Sequence, residues 1–432
     1  MHLLIDSTGN CKMTNNFKKN RLILAKTHFF SVPLQAISNI TNTMKYYSFL
    51  LLSFLLLPSI VSCTPIVPPA EDSTLDKDSV YQEEPTLDED SVSQENPYRP
   101  AVVGAYAYGA DCSWITEEEA DGVLFYDSVG NPQEGMRLMR DYGMNSVRLR
   151  VWVNHKTGWC NQEDVLVKAK RAADLKLRVM IDFHYSDYFA DPSRQTTPEA
   201  WKNYSLDELL QAVAAHTTEV LEALKAEGIT PEWIQVGNET RNGMLWPTGK
   251  LWDKNGDLPN GWKNYAALTT AGYNACKAVF PDAIVIVHID NAYENNNWFF
   301  RNLKNNGGKF DMIGLSHYPM MTEWTGKTWQ ETNRLAAQNI QLLYNEFKCP
   351  IMVTEIGTLA SKEAEAVKVI EDFRERVDKW DYMKGIFYWE PQIYNNWKPK
   401  EYATDGWGAY QMGAFNSKGQ PNGALKALWK TL

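Results

Sequence analysis

The chain has 432 residues, 44% of them hydrophobic and 16 of them Trp, enough to build a large core and still leave aromatic rings for a surface. A formal charge of -10 excludes nucleic acid as a partner, because no basic face is left over to neutralise a row of phosphates. A neutral substrate fits this balance better.

Residues 1–43 carry no feature of their own and read as an upstream extension. From Met44 the run "MKYYSFLLLSFLLLPSIVSC" places a lysine, an apolar stretch and a small residue before Cys63, the layout of an export signal. The stretch is too short to span a membrane and stops at Pro58. Its "IVSC" ending resembles a bacterial lipobox, which implies lipidation at Cys63 and anchoring to the cell envelope, at the outer membrane of a Gram-negative cell and on its surface. The lipid would be the only membrane contact. Residues 64–99 hold an acidic twelve-residue repeat, "TLDKDSVYQEEP" from Thr74 and "TLDEDSVSQENP" from Thr86, too poor in apolar groups to fold and expected to act as a tether.

From residue 100 to 432 the pattern becomes short β-rich runs alternating with amphipathic stretches. Strands are predicted at 101–109, 145–152, 177–184, 232–238, 283–289, 311–318, 350–357 and 384–391. Helices are predicted between them, as in "EDVLVKAKRAADLK" and "LDELLQAVAAHTTEVLEALKAEG". Near-continuous apolar strands joined by helices imply a parallel sheet covered on its outer face, and eight such units imply an α/β fold, a single (β/α)8 barrel. No "GxGxxG" or "GxxxxGK" turn follows a strand, which argues against a nucleotide-binding fold.

In such a barrel the chemistry sits at the C-terminal strand ends. Those ends carry Asp111, Arg148, Trp152, His184, Asp187, Asn238, Glu239, His288, Asp290, His317, Tyr318, Glu355, Trp389 and Glu390. Glu239 and Glu355 end the fourth and seventh strands, which face one another, and a carboxyl pair there suits glycoside hydrolysis, one as acid and one as nucleophile or base. A gap of roughly 5 Å would mean retention and about 6.5–9.5 Å inversion. Glu390 and Asp290 are weaker rivals for these duties.

His184, His288 and His317 raise zinc as an alternative, but a metal-dependent barrel would be expected to carry a His-x-His pair on the first strand, and "AVVGAYAYGAD" has none. No metal or other cofactor is therefore required. A "GxSxG" nucleophile elbow is also missing. The tryptophans at 114, 152, 201, 246, 298, 324, 389 and 397 fall in or near loops after strands, where they could stack on pyranose rings along an open cleft. Of the cysteines, Cys112 and Cys160 could form a bridge in an exported protein, the alternative being buried thiols. "NET" at 238–240 fits a glycosylation sequon, but a strand end inside a barrel mouth is a poor acceptor.

Eight stretches in order, "GADCSW", "GMNSVRLRVWVN", "DFHYSDYFADPSRQTTPEAW", "IQVGNE", "LSHYP", "TEIG", "FYWEP" and "FNSKGQPNGAL", resemble glycoside hydrolase family 53, the arabinogalactan endo-β-1,4-galactanases. The resemblance implies a retaining enzyme that cuts β-1,4-galactan, the side chain of pectin or of type I arabinogalactan, as a monomer. It implies Glu239 as acid/base, Glu355 as nucleophile, Asn238 on the sugar 2-hydroxyl and Arg148 holding the nucleophile ionised. His184, His317 and Trp389 would line the same subsite, with Trp114, Asp187 and Trp246 as further contacts to the chain. The sequence departs from the family pattern at Phe189, where a Trp is usual, and near His317, where a second aromatic is usual. Some members bind calcium in the long loop after the eighth strand; here that loop offers Glu401 and Asp405.

Overall fold

The computed structural model describes residues 102–321, 326–404 and 407–429. The export signal, Cys63, the acidic tether, Trp324 and Asp405 lie outside the described residues. Among the described residues no helix is long and apolar enough to cross a membrane.

Eight parallel strands close into a barrel in sequence order: β1 Ala107–Asp111, β2 Ser146–Val151, β3 Arg178–Phe183, β4 Trp233–Val236, β5 Ile284–Ile289, β6 Met312–His317, β7 Ile351–Ile356 and β8 Met383–Trp389, with β8 pairing back on β1. Helices follow them on the outside, among them α1 Gln162–Asp174 after β2, α2 Leu206–Ala226 after β3, α3 Trp329–Phe347 after β6 and α4 Glu363–Val377 after β7. Helix α2 starts where a capping box predicts, Ser205 accepting from the Glu208 N–H while Glu208 reaches back. Its buried residues Leu209, Val213, Val220, Leu221 and Leu224 recur at helical spacing and form the face laid on the barrel.

The first strand differs from the sequence expectation of 101–109. Gly104 adopts φ +80, the Ala105 N–H bonds back to the Val102 carbonyl, and Val102 and Val103 are exposed, so this apolar run is a turn outside the barrel mouth's opposite end. The strand starts only at Ala107.

Along each strand, side chains alternate between the barrel interior and the layer under the helices. Met180, Trp233, Ile286, Met312, Met352 and Phe387 point inward and fill the lower barrel as a separate core cluster. The Phe387 ring fits because Gly109 faces it: a Cβ on Gly109 would lie 2.2 Å from that ring. One layer higher, the same inward rows carry Arg148, Asp182, Gln235 and His288, all buried. The apolar floor therefore excludes water below a polar layer, and the polar layer supports the mouth.

Candidate active site

Arg148, from the middle of β2, is the centre of the polar layer. Its guanidinium pairs with Asp111 on β1 at 2.7 Å, Asp182 on β3 at 2.8 Å and Glu355 on β7 at 3.0 Å. It also donates to Asn238 Oδ1 at 2.8 Å. One buried cation surrounded by three carboxylates is held in place by geometry, and its own affinity for the proton rises.

Glu355 faces inward because of a register shift. Strand β6 pairs Leu315 with Val353 and then Ser316 with Glu355, an irregularity that inserts one residue into β7. The shift brings Glu355 opposite Ser316, whose row points into the barrel. Glu355 Oε2 takes a hydrogen bond from the Tyr318 hydroxyl at 2.8 Å. Burial pushes its pKa up to about 7, against the opposing pull of Arg148 and then of Tyr318.

Glu239 sits past the end of β4. Gly237 turns the chain with φ +84 and Glu239 itself has φ 45, so "GNE" leaves the strand as a tight turn that aims both polar side chains at the mouth. Asn238 is fixed by donating to the Ala190 carbonyl at 2.8 Å and accepting from Arg148. Burial, then the nearby charges of Glu355 and Asp290, raise the Glu239 pKa well above the usual carboxylate range. Both carboxyls are pushed upward, but only Glu355 has a guanidinium in contact. The pair therefore favours a proton on Glu239 and a charge on Glu355.

Beneath Glu239, His288 Nδ1 lies 3.0 Å from Asn238 Oδ1, 3.1 Å from the Gln235 amide nitrogen and 3.4 Å from the Glu239 backbone nitrogen. Its Nε2 lies 2.8 Å from Ser316 Oγ, and the Ser316 hydroxyl faces the Glu239 carboxyl. His184 is held at both ring nitrogens: Nδ1 accepts from the Ala190 N–H at 3.0 Å and Nε2 contacts Asp182 at 3.0 Å. Burial lowers the pKa of both rings, keeping them neutral.

Glu239, Glu355, Asn238, His184 and Trp389 line one cavity of about 170 Å³, together with Phe189, Tyr318 and Trp407. A larger cavity of about 580 Å³, lined by Asp290, Asn291 and Tyr293, shares Asp191, Glu239 and Tyr318 with it, so the two are parts of one cleft. Arg148 supports the floor from below.

Four expected contacts lie elsewhere. His317 falls on the outward row of β6; its Nε2–H donates to Asn333 of α3 at 2.8 Å and its ring packs on Phe373 of α4, which corrects its placement in the subsite. The adjacent Tyr318 reaches the cleft instead. Trp114 is 1% exposed and packs edge-on behind Trp389 at 5.0 Å, a support for the platform with no face left for a ligand. Asp187 accepts from the Asn154 and Glu199 N–H groups and so ties two loops together. Trp246 stands in the loop after β4 with the Lys250 ammonium over its ring at 4.2 Å, outside both cavities of the cleft.

The rivals are occupied too. Asp290 pairs with Arg241, and Glu390 is fully buried, bonded by Gln392 at 2.8 Å and the Trp114 N–H at 3.1 Å, with burial pushing its pKa up to about 8. The three histidines do not converge, and among the described residues no group of His, Cys, Asp and Glu side chains is placed to hold a metal ion. Of the loop carboxylates considered for calcium, Glu401 is the one described, so no step here runs through that ion. Cys112 and Cys160 are free buried thiols.

Sequence reasoning missed Asp182, Gln235 and Trp407. Asp182 and Gln235 had a readable signal: each is a polar residue inside an apolar strand, two positions above an inward-facing core residue, Met180 and Trp233.

With the site described, comparison with known proteins decides the family. The family model for glycosyl hydrolase family 53 matches residues 107–428, the whole barrel. The chain belongs to glycosyl hydrolase family 53. It is 30% identical to the arabinogalactan endo-β-1,4-galactanase of Thermothelomyces thermophilus, over 67% of this chain and 90% of that one. An uncharacterized protein of Niallia circulans is 31% identical over 75% of this chain and 93% of its own. Among solved structures, a fungal β-1,4-galactanase superposes with a TM-score of 0.64 at 28% identity, covering 76% of this chain and all of the other. The family 53 catalytic domain of Ignisphaera aggregans gives the same TM-score at 26% identity, over 77% of this chain and 98% of its own. This family 53 chain is accordingly a glycoside hydrolase with galactanase relatives.

Proposed function

We propose that this hydrolase cuts β-1,4-galactan, as in the side chains of pectin or type I arabinogalactan, internally and with retention of configuration. The observation that carries the reading is the pairing of two carboxyls in one cavity, Glu355 gripped by Arg148 and Tyr318 and Glu239 without a cation beside it among the described residues. In the first step Glu355 attacks the anomeric carbon while Glu239 gives its proton to the glycosidic oxygen, and the leaving chain departs. In the second, Glu239 takes a proton from water, the water oxygen bonds to the anomeric carbon, and the Glu355 carboxylate is released. No cofactor enters either step.

The cleft also supports an internal cut. Glu355 lines only the smaller cavity, whereas Glu239 lines both, so the sugar whose anomeric carbon is attacked lies in the smaller one and the leaving chain extends past Asp290, Asn291 and Tyr293. Trp389, Phe189 and Trp407 form an apolar wall suited to a pyranose face. The galactanase names of the relatives support galactan over mannan or xylan. Export and lipid anchoring at Cys63, on a monomer, belong to the same proposal and rest on the "IVSC" pattern.

A panel of galactan, arabinogalactan, mannan and xylan, followed by reducing-sugar release and by NMR of the first-formed anomer, tests this reading. Short β-anomeric galacto-oligosaccharides are expected. Cleavage of mannan or xylan with galactan untouched, or α-anomeric first products, would overturn it.

A further inference from the structure

Gly357 is the first residue past β7, two positions beyond Glu355. It does not adopt the left-handed backbone that reserves other positions for glycine, so alanine would suit the chain there and would spare the entropy that a glycine loses on folding. Space decides against it. A Cβ at 357 would lie 2.8 Å from the Tyr318 ring and 3.0 Å from the Tyr410 hydroxyl.

Both of those groups are tied to the site. The Tyr318 hydroxyl donates to Glu355 Oε2 at 2.8 Å, and the Tyr410 hydroxyl donates to the Trp389 carbonyl at 3.0 Å. The Tyr410 ring also meets the Trp389 ring edge-on at 4.8 Å, so Trp389 is supported by Tyr410 as well as by Trp114. The next two residues are fixed in turn: the Gln411 carbonyl accepts from the Ala360 N–H at 3.0 Å, and the Met412 carbonyl from the Tyr388 hydroxyl at 2.9 Å. That hydroxyl itself accepts from the Thr358 N–H at 3.0 Å. Residues 410–412 are thus a strap bound to the loop after β7, and it serves both parts of the cleft, since Trp389 lines the smaller cavity and Met412 the larger.

We infer that Gly357 and Tyr410 are positioning residues for the cleavage: the bare backbone at 357 lets Tyr318 and Tyr410 close on one point, which sets Glu355 and the sugar-facing Trp389 relative to each other. The sugar must rest on Trp389 with its anomeric carbon in line with Glu355, and a displacement of about 1 Å in such a geometry can cost about a hundredfold in rate. The inference rests on Glu355 as nucleophile, and not on which glycan is cut.

The test uses the whole chain and the glycan of the panel above that it cuts fastest. Gly357→Ala should lower kcat/KM by about tenfold or more. It should also move the acid limb of the pH profile upward by about half to one unit, the effect of losing the one hydrogen bond from Tyr318. Glu355 is faced by Arg148, Asp111 and Asp182 from the barrel floor, by Glu239 across the cavity, and by Tyr318 and Tyr410 from the loops; the added Cβ presses on the last two. Tyr410→Phe removes one hydroxyl and adds no bulk, and should raise KM by about threefold or more while moving the acid limb much less. Because that hydroxyl is one of the groups the Cβ meets, the two changes together should cost less than the product of their separate effects. Thermal melts of each variant separate losses of folding from these readouts. A Gly357→Ala protein with a lowered melting temperature but an unmoved acid limb and KM would make 357 a packing glycine only and overturn the inference. A Tyr410→Phe enzyme indistinguishable from the parent would overturn it as well, and decides alone where Gly357→Ala fails to fold.

Discussion

The Arg148 guanidinium lies 3.0 Å from the Glu355 carboxylate, which lines the cleft, and 2.7 Å from Asp111 below it, with all three groups buried. Arg148 thus has two jobs, to keep Glu355 charged and to neutralise the acids that would otherwise repel one another. Truncating Arg148 to Ala should cost about 3–5 kcal/mol of folding stability, because it leaves buried carboxylates without their cation. Denaturant unfolding checks this, and a loss under 1 kcal/mol would contradict the geometry.

Removing the Glu355 carboxylate should abolish galactan cleavage without unfolding the barrel, and Glu239→Ala should slow it by about 10²–10⁴. The two are distinguishable on a substrate with a good leaving group. There Glu239→Ala should regain rate with added azide as the external nucleophile, whereas Glu355→Ala should not give the retained azide product.

Activity should follow a bell in pH, with the acid limb set by Glu355 and the alkaline limb by Glu239. The Tyr318 hydroxyl holds the Glu355 pKa down, so Tyr318→Phe must raise it. The acid limb should move to higher pH, with the alkaline limb much less affected. A shift toward lower pH would rule out this role.

His317→Gln should leave galactanase activity within about twofold, since the ring contacts Asn333 and Phe373 and not the cleft. Its effect should appear in stability. Burial depresses the folded His317 pKa to about 4 from an ordinary value near 6.5, so the neutral ring stabilises the fold above pH 6.5 and that contribution is lost as pH falls toward 4. The melting temperature of the variant should therefore fall less steeply between pH 6.5 and 4 than that of the parent protein.

Gly109→Ala should destabilise by about 1–3 kcal/mol through overpacking against Phe387, with a Cβ at 2.2 Å from the ring. Gly109→Ala combined with Phe387→Leu should recover part of the loss, a coupling that thermal melts of both variants would measure.

The barrel was legible before any coordinates, because parallel strands covered on one face and packed on the other must be nearly continuous runs of apolar residues, and seven of the eight predicted runs overlap the observed strands closely. Run 101–109 failed where apolar letters alone cannot tell a turn at Gly104 from a strand. Glu239 and Glu355 were legible for a similar local reason, since each lies at the end of such a run.

What a run of letters leaves open is which way a side chain points when the regular alternation breaks. The inserted residue in β7 turns Glu355 inward, and unbroken alternation in β6 turns His317 outward, leaving Tyr318 at the cleft. Side-chain direction also decides that Trp114 backs the wall and Trp389 lines it. The sequence by itself determined the barrel, its eight units and the position of two glutamates at the ends of facing strands, because these follow from local periodicity. Only tertiary structure decided that Asp111, Asp182, Asn238 and Glu355 meet at one guanidinium, because closing the barrel brings strands far apart in the chain to within hydrogen-bond distance.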